Sequence, residues 1–319
     1  MVNRRPTTPE AAPEAKPGAT HAAPAPVAAP SVAQHPRGRI RRLWRRSRWL
    51  IARRLVQVGL LAAFASGPWW GVPVASGTLA ASEWFGVLTL ADPLVALQAL
   101  LAGHTLAAAG LIGAGLVAAF YALLAGRLYC GWVCPINLVT DAAEALRRRL
   151  GLGNLALLRA DRRARNAVLL VVLLASAAGG IVAWEMLNPI TLAMRALVFG
   201  AWSAGLVAVV AVLVCDLVVL RHGWCGHLCP VGAFYGWLGR FGRLSVHATR
   251  AEACSRCGDC YAICPEPHVI VPVLRPGTTV VAITDADCLR CGRCIDHCDE
   301  DVFALRWAMV TPTRSPGVC

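Results

Sequence analysis

The chain has 319 residues, 57% of them apolar and only 15% charged, with a mean hydropathy of +0.55. An ordinary water-soluble domain is roughly 45–50% apolar and about 25% charged, so this composition excludes that class and directs attention to membrane spans. The formal charge of +13 is almost all arginine, Lys16 being the single lysine; the arginines flank apolar runs, which points to membrane orientation and away from nucleic acid.

Residues 1–36 are rich in Ala, Pro and Thr without apolar periodicity, a composition that cannot offset chain entropy and reads as a disordered tail. No apolar core follows within the first thirty residues, so the tail is not a signal peptide. A basic juxtamembrane segment, 37–54, carries Trp44 and Trp49 among its arginines. The membrane domain, 55–238, is expected to hold four helices: Leu55–Val74, Thr105–Gly126, Ala167–Trp184 and Ala196–Cys215, each near the length that crosses the hydrocarbon. Segment 79–102 is apolar but carries Glu83 and Asp92; burying both carboxylates in lipid is costly, so it reads as interfacial or re-entrant.

Both Arg37–Arg54 and Arg147–Arg165 are strongly basic, whereas 71–103 holds no Lys or Arg. The positive-inside rule then places both basic stretches in the cytoplasm. The expected topology is four spans in a bacterial inner membrane with both termini cytoplasmic. After Gly239 the composition turns charged and cysteine-rich, marking a soluble domain at 239–310 and a short tail at 311–319. The predicted fold class is therefore a membrane all-α domain of tandem helical hairpins followed by a C-terminal α+β ferredoxin-like domain.

Of the fourteen cysteines, Cys254, Cys257, Cys260 and Cys264 form C-x2-C-x2-C-x3-C, and Cys288, Cys291, Cys294 and Cys298 repeat it. Disulfides between such close neighbours would be redundant, and paired zinc knuckles lack the x3 fourth ligand. The pattern is that of two [4Fe–4S] clusters, with the fourth cysteine of each run ligating the other cluster. That assigns Cys254, Cys257, Cys260 and Cys298 to one cluster and Cys288, Cys291, Cys294 and Cys264 to the second. Pro265 follows the first run and Asp299 the second. Residues 268–283, with a Pro276–Gly277 turn, read as a hairpin between the halves.

A second cysteine pattern occurs twice. Tyr129-Cys130-Gly131-Trp132-Val133-Cys134-Pro135 and Trp224-Cys225-Gly226-His227-Leu228-Cys229-Pro230 both read aromatic-C-G-x-x-C-P. Each follows an apolar run, so the membrane domain looks like a tandem repeat. Cys130, Cys134, Cys225 and Cys229 are expected to converge on the cytoplasmic side as an additional redox or metal site. The competing reading is two separate thiol pairs or mere helix-terminating turns. Cys215 and Cys319 have no evident partners and read as structural and incidental.

These motifs, with Ser66-Gly67-Pro68-Trp69, Thr89-Leu90-Ala91-Asp92-Pro93, Ala102-Gly103-His104, His222-Gly223-Trp224 and Cys264-Pro265-Glu266-Pro267-His268, resemble the NapH family of membrane quinol-dehydrogenase components of periplasmic nitrate reductase systems. Less close likenesses are the methylamine-utilisation ferredoxin-type proteins and the membrane part of the nitrous-oxide reductase regulator. The resemblance implies oxidation of quinol, with electrons passing through a NapG-type iron–sulfur protein and c-type cytochromes to the periplasmic reductase. A quinol site needs a proton acceptor beside an apolar slot. Glu83, Asp92 and His104 are candidates on the outer side, and Asp216, His222 and His227 on the inner. Asp92 has a simpler reading as the cap of a helix starting at Pro93. The alternative function is cofactor assembly or copper reduction by the C-x3-C-P thiols; related oxidase-assembly proteins carry a further β-rich domain that does not follow Cys298 here. A third is a membrane scaffold whose clusters serve structure alone.

Overall fold

The computed structural model describes residues 47–152, 161, 163–200 and 202–307. The predicted tail 1–36, basic residues 37–46, most of the connection 153–162 and the tail 311–319 with Cys319 lie outside the described residues.

Helix α1 (Arg48–Trp70) ends at Gly71 in the left-handed conformation (φ 72°), and its exposed face is apolar. Its inner face carries buried Arg53 and Gln57. The preceding Ser47 makes no side-chain cap. The Asp296 carboxylate caps the helix instead, accepting from the Trp49 and Leu50 amides at 3.1 Å each; a carboxylate there satisfies orphan donors and complements the helix dipole.

Segment 79–102, expected to be interfacial or re-entrant, belongs to a three-stranded antiparallel meander, β1 (Ala75–Gly77), β2 (Ala81–Trp84) and β3 (Leu88–Ala91), followed by α2 (Pro93–Leu101). Nine residues make a helix of about 14 Å at 1.5 Å each, too short to cross a bilayer. Asp92 caps α2, its Oδ1 accepting from Leu94 N at 2.7 Å and Val95 N at 3.3 Å. Pro93 stands at N1, where its missing N–H costs nothing.

Helix α3 (Ala108–Leu124) leads into a single turn, α4 (Leu128–Trp132), and then the amphipathic α5 (Ile136–Arg149). Next come α6 (Arg163–Gly179), α7 (Pro189–Phe199) and α8 (Trp202–Val214), the last continued by a π-turn to Val219. A second π-turn at Trp224–Leu228 precedes α9 (Pro230–Leu238). Two described helices, α1 and Trp202–Val219, are long and apolar enough to cross a membrane; α3 and α6 have 17 residues each. The expected fourth span, Ala196–Cys215, needs correcting. Ala196–Phe199 finish α7, Gly200 turns left-handed (φ 70°) as its C-cap, and a new helix starts at Trp202. The apolar run is continuous in sequence, but the glycine breaks it.

The architecture repeats. Asn188 caps α7 by accepting from Ile190 N at 3.1 Å, with Pro189 at N1, as Asp92 and Pro93 do for α2. In each half a short capped helix is followed by a long apolar helix, a C-x3-C-P turn and another helix.

In the C-terminal region, β4 (Leu244–Ala248) is the middle strand of an antiparallel sheet, between β5 (Ala282–Ile283) and β6 (Phe303–Trp307). Helical turns α10 (Asp259–Ile263) and α12 (Arg293–Asp296) follow the two cysteine loops. The hairpin expected at 268–283 is not formed. Residues Pro267–Val269 make a 3-10 turn, Val271–Leu274 form the short helix α11, and β5 pairs with β4. Pro272 and Pro276 remove ladder donors, and Val269, Ile270 and Val273 are instead buried at helical spacing.

Candidate functional site

The two cysteine loops read Cys254-Ser-Arg-Cys-Gly-Asp-Cys260 and Cys288-Leu-Arg-Cys-Gly-Arg-Cys294. Both bend through the same two left-handed positions, Arg256 (φ 57°) and Gly258 (φ 86°) in the first, Arg290 (φ 49°) and Gly292 (φ 74°) in the second. Alternation of handedness turns successive backbone N–H groups to one side, the geometry of an anion nest. A thiolate-bound cluster is such an anion, so the cradle fits it.

The mutual influence of the thiols falls mostly within two groups, linked through Cys260 and Cys294. Burial pushes the Cys260 thiol up to about 12, helped by Cys254, Cys257 and Cys298. Cys264 is raised by burial and then by Cys291 and Cys288, and Cys294 by burial, Cys291, Cys288, Cys264 and Cys260. Such thiols become ligands only when a cationic core offsets their mutual repulsion. A tetrahedral zinc, with bonds of about 2.3 Å, needs its sulfurs packed closely together. Among the described residues the one group of three with ligand atoms within 4.8 Å of each other is Glu266, His268 and Asp287, not any set of thiols. A cubane, which offers each thiolate its own iron corner, suits the wider sets.

Cys130, Cys134, Cys225 and Cys229 also come together. Cys134 is raised by burial and by Cys130 and Cys229; Cys225 by burial, Asp216 and the other three thiols. Cys229 is pushed up to about 12 by burial and Cys130. All four are buried or half-buried. Both turns are held from their surroundings: Gln57 Nε2 donates to Cys134 O at 3.3 Å, and Asp216 Oδ1 accepts from Trp224 N at 2.8 Å.

A buried ionic network joins these turns to the second cysteine loop. Arg127 is fully buried and donates to Cys225 O and Asp287 O, each at 3.0 Å, and to Glu266 at 3.2 Å. Arg165 pairs with Asp287. These arginines already neutralise Glu266 and Asp287, which argues against a cation at the Glu266–His268–Asp287 group. A second hub is Asp141 on α5, which pairs with Arg53 and Arg54 of α1 and with Arg293 of the second loop. Burial opposes its charge, but Arg293, Arg53 and Arg54 outweigh that and hold its carboxyl below the usual aspartate value.

The quinol candidates separate. Glu83 and His104 are exposed, His104 lying 3.1 Å from Gly180 O. Asp92, expected beside them on the outer side, is buried, and its Oδ2 accepts from the Tyr235 hydroxyl at 3.2 Å. Tyr235 stacks on Tyr129, ring centroids 4.6 Å apart and planes within 7°, and Tyr129 precedes Cys130. Asp92 therefore stands at the level of the C-x3-C-P turns, because α2 enters the core cap-first. A narrow cleft beside it is lined by Tyr129, Trp184, Glu185, Asn188 and Thr191. The buried Trp184 Nε1 has no hydrogen-bond partner among the described residues. Of the candidates expected on the inner side, His222 is pushed down to about 3 by burial together with Arg293 and Arg221, making it a poor proton acceptor. His227 lies half-buried in the second π-turn.

The comparisons with known proteins agree with this layout. A family described as 4Fe-4S binding domain matches residues 106–153 and again 199–247, one match for each C-x3-C-P half; a 4Fe-4S dicluster domain matches 248–299. The Escherichia coli ferredoxin-type protein NapH is 45% identical over 83% of this chain and 92% of its own length. The methylamine utilization ferredoxin-type protein MauN of Methylorubrum extorquens is 48% identical over 82% and 90%, and NapH of Haemophilus influenzae 41% over 82% and 90%. The chain belongs to the NapH family of ferredoxin-type proteins. No solved structure matches it.

As a member of the NapH family, the chain is an electron-transfer protein with 4Fe–4S binding domains. Sequence reasoning missed Arg127, Arg165, Asp141, Trp184 and Tyr235. Arg127 was within reach, since it occupies the place in the first C-x3-C-P motif that His222 holds in the second. The α7 cap was visible too, as an Asn-Pro answering Asp92-Pro93 one residue out of register with the cysteine repeat.

Proposed function

We propose that this chain is a multi-span inner-membrane subunit that oxidises quinol and delivers electrons, through a NapG-type iron–sulfur partner and c-type cytochromes, to a periplasmic nitrate reductase. Its helices α1, α3, α6 and α8 would be the four spans, with both termini cytoplasmic. The observation that carries the reading is the unbroken line from the cleft to the thiols: Asp92 to Tyr235 at 3.2 Å, Tyr235 stacked on Tyr129, and Tyr129 adjoining Cys130. A hydroquinone must release two protons with its two electrons, and the cleft offers a buried carboxylate and an orphan indole donor. Asp92 would accept one ring hydroxyl proton and Glu185, which also lines the cleft, the other, while Trp184 Nε1 would donate to a ring oxygen and hold it in place. Cys254, Cys257, Cys260 and Cys298 would hold one cluster, and Cys288, Cys291, Cys294 and Cys264 the other. Bound there, each cluster supplies one-electron redox chemistry. Cys130, Cys134, Cys225 and Cys229 would form the station between cleft and clusters.

The MauN likeness, at 48% identity, favours a second reading in which the same chemistry serves methylamine utilization. Copper reduction by the C-x3-C-P thiols is the remaining alternative. Adding a short-chain quinol analogue to purified membranes should bleach the cluster absorbance. Asp92→Asn should slow that bleaching roughly 100-fold, the usual worth of a general base, while dithionite still bleaches fully. Clusters that stay oxidised with quinol, yet once reduced by dithionite are reoxidised by copper(II), would support the assembly reading instead.

A further inference from the structure

The two cysteine loops stand in opposite relations to the C-x3-C-P turns. Every residue from Asp287 to Arg293 is buried, whereas in the first loop Ser255, Arg256 and Cys257 are exposed. The second loop lies against the first turn, and Glu266, just beyond Cys264, lies against the second. A Cβ added at Gly131 would stand 3.0 Å from Leu289 O and 3.6 Å from the Cys291 Cβ. A Cβ at Gly226, the equivalent glycine of the other turn, would stand 3.3 Å from Glu266 Oε1, two residues beyond Cys264. Trp132 Nε1 donates to Arg290 O at 3.1 Å. Arg127 closes the arrangement by bonding Cys225 O on one side and Asp287 O on the other. Among the described residues the first loop has no such packing at its glycine: a Cβ at Gly258 would meet no atom within 4 Å.

From this we infer that the domain has a built-in polarity. The Cys264, Cys288, Cys291 and Cys294 set is the terminal docked on the C-x3-C-P thiols, the Cys254, Cys257, Cys260 and Cys298 set is the terminal open to solvent, and Gly131 and Arg127 are the positioning residues of the junction. Gly131 acts by lacking a side chain, which lets the first turn rest on the ligand loop. Arg127 acts by its charge. It is buried away from solvent, so even beside Glu266 and Asp287 it favours whichever state of the adjacent set carries more negative charge. The inference rests on the ligand sets proposed above, but not on the identity of the electron donor.

Mediated redox titration of the full-length detergent-purified protein, followed by EPR with iron quantitation, tests it without quinol. Cys257→Ser first identifies the signal of the open set by deleting it; if no single signal disappears, the ligand sets fail rather than the polarity. Arg127→Gln should then lower the midpoint of the docked set, because removing a positive charge disfavours reduction, and leave that of the open set in place. Arg127→Lys should restore most of the shift. Gly131→Ala, a smaller change should Arg127→Gln fold poorly, should move the docked set alone at unchanged iron content, and Gly258→Ala should not move it. Midpoints that shift together, a shift confined to the open set, or no shift in either would overturn the polarity.

Discussion

The two cysteine loops have one backbone and two environments. Each places an arginine and a glycine in the left-handed region on either side of its second cysteine, Arg256 and Gly258 in one, Arg290 and Gly292 in the other. Their surroundings diverge completely. Arg256 reaches solvent, while Arg290 is 2% exposed and its Nη1 donates to Cys288 O at 2.7 Å. Gly258 faces open space, while Gly292 lies under Trp49 of the first helix, where an added Cβ would come within 2.5 Å of the indole. Local sequence dictates how such a loop folds; what it touches decides its role. A repeated motif thus keeps its backbone in two different surroundings.

The comparison can be broken most severely at the sulfurs. Cys291→Ser and Cys257→Ser should each remove about half the iron, since each would cost one cluster. Only Cys291→Ser should also sharply reduce the recovery of folded protein, because its loop is part of the packed junction; iron content and size-exclusion profiles compare the two. Equal recovery would show that burial of the second loop carries no structural weight.

Asp141→Asn comes next. It strands Arg53 and Arg293, 1% and 9% exposed in their side chains, next to each other without a counter-charge. Breaking a buried pair in this way typically costs about 3–5 kcal/mol, read as a fall in denaturation midpoint. The pH dependence has a definite sign. Asp141 is held below its ordinary pKa, so its contribution is present above the unfolded value, near about 4, and is lost as pH falls through the folded one. The gap between the native chain and Asp141→Asn should therefore be full at neutral pH and shrink in acid.

The smallest effects separate the two glycines. Gly258→Ala should cost about 1–2 kcal/mol, the left-handed penalty alone. Gly292→Ala should cost roughly 1–3 kcal/mol more for the collision with Trp49, and Trp49→Ala in the same chain should recover part of that excess. A double-mutant cycle on thermal melts gives the coupling.

What was legible in the sequence follows from the range of the interactions involved. The loops could be read because metal ligation needs its donors at fixed short spacing, and Cys254 to Cys264 displays them within eleven residues. The helix cap at Asp92 was legible for the same reason, as an acid directly before a proline. Reading 268–283 as a hairpin failed because β-branched residues such as Val269, Ile270 and Val273 serve a buried helical turn equally well, and only the pairing of β5 with β4 decides between them. The position of Asp92 next to Tyr235 joins residues 143 apart, and no local pattern announces that. Arg127 is harder still: its partners Cys225, Glu266 and Asp287 lie 98, 139 and 160 residues away. In an apolar sequence an arginine reads as a topology marker, and the same charge serves here as a buried fastener.

The cap on the first helix has a consequence for how the protein is made. The Trp49 and Leu50 amides donate to Asp296, a residue translated 247 positions after Trp49. At about 5–20 residues per second the ribosome needs roughly 10–50 seconds to deliver it. Through that interval the amides at the start of α1 have no carboxylate to cap them. The cap comes from the turn at the end of the buried cysteine loop, so a molecule that never completes that loop keeps this helix uncapped.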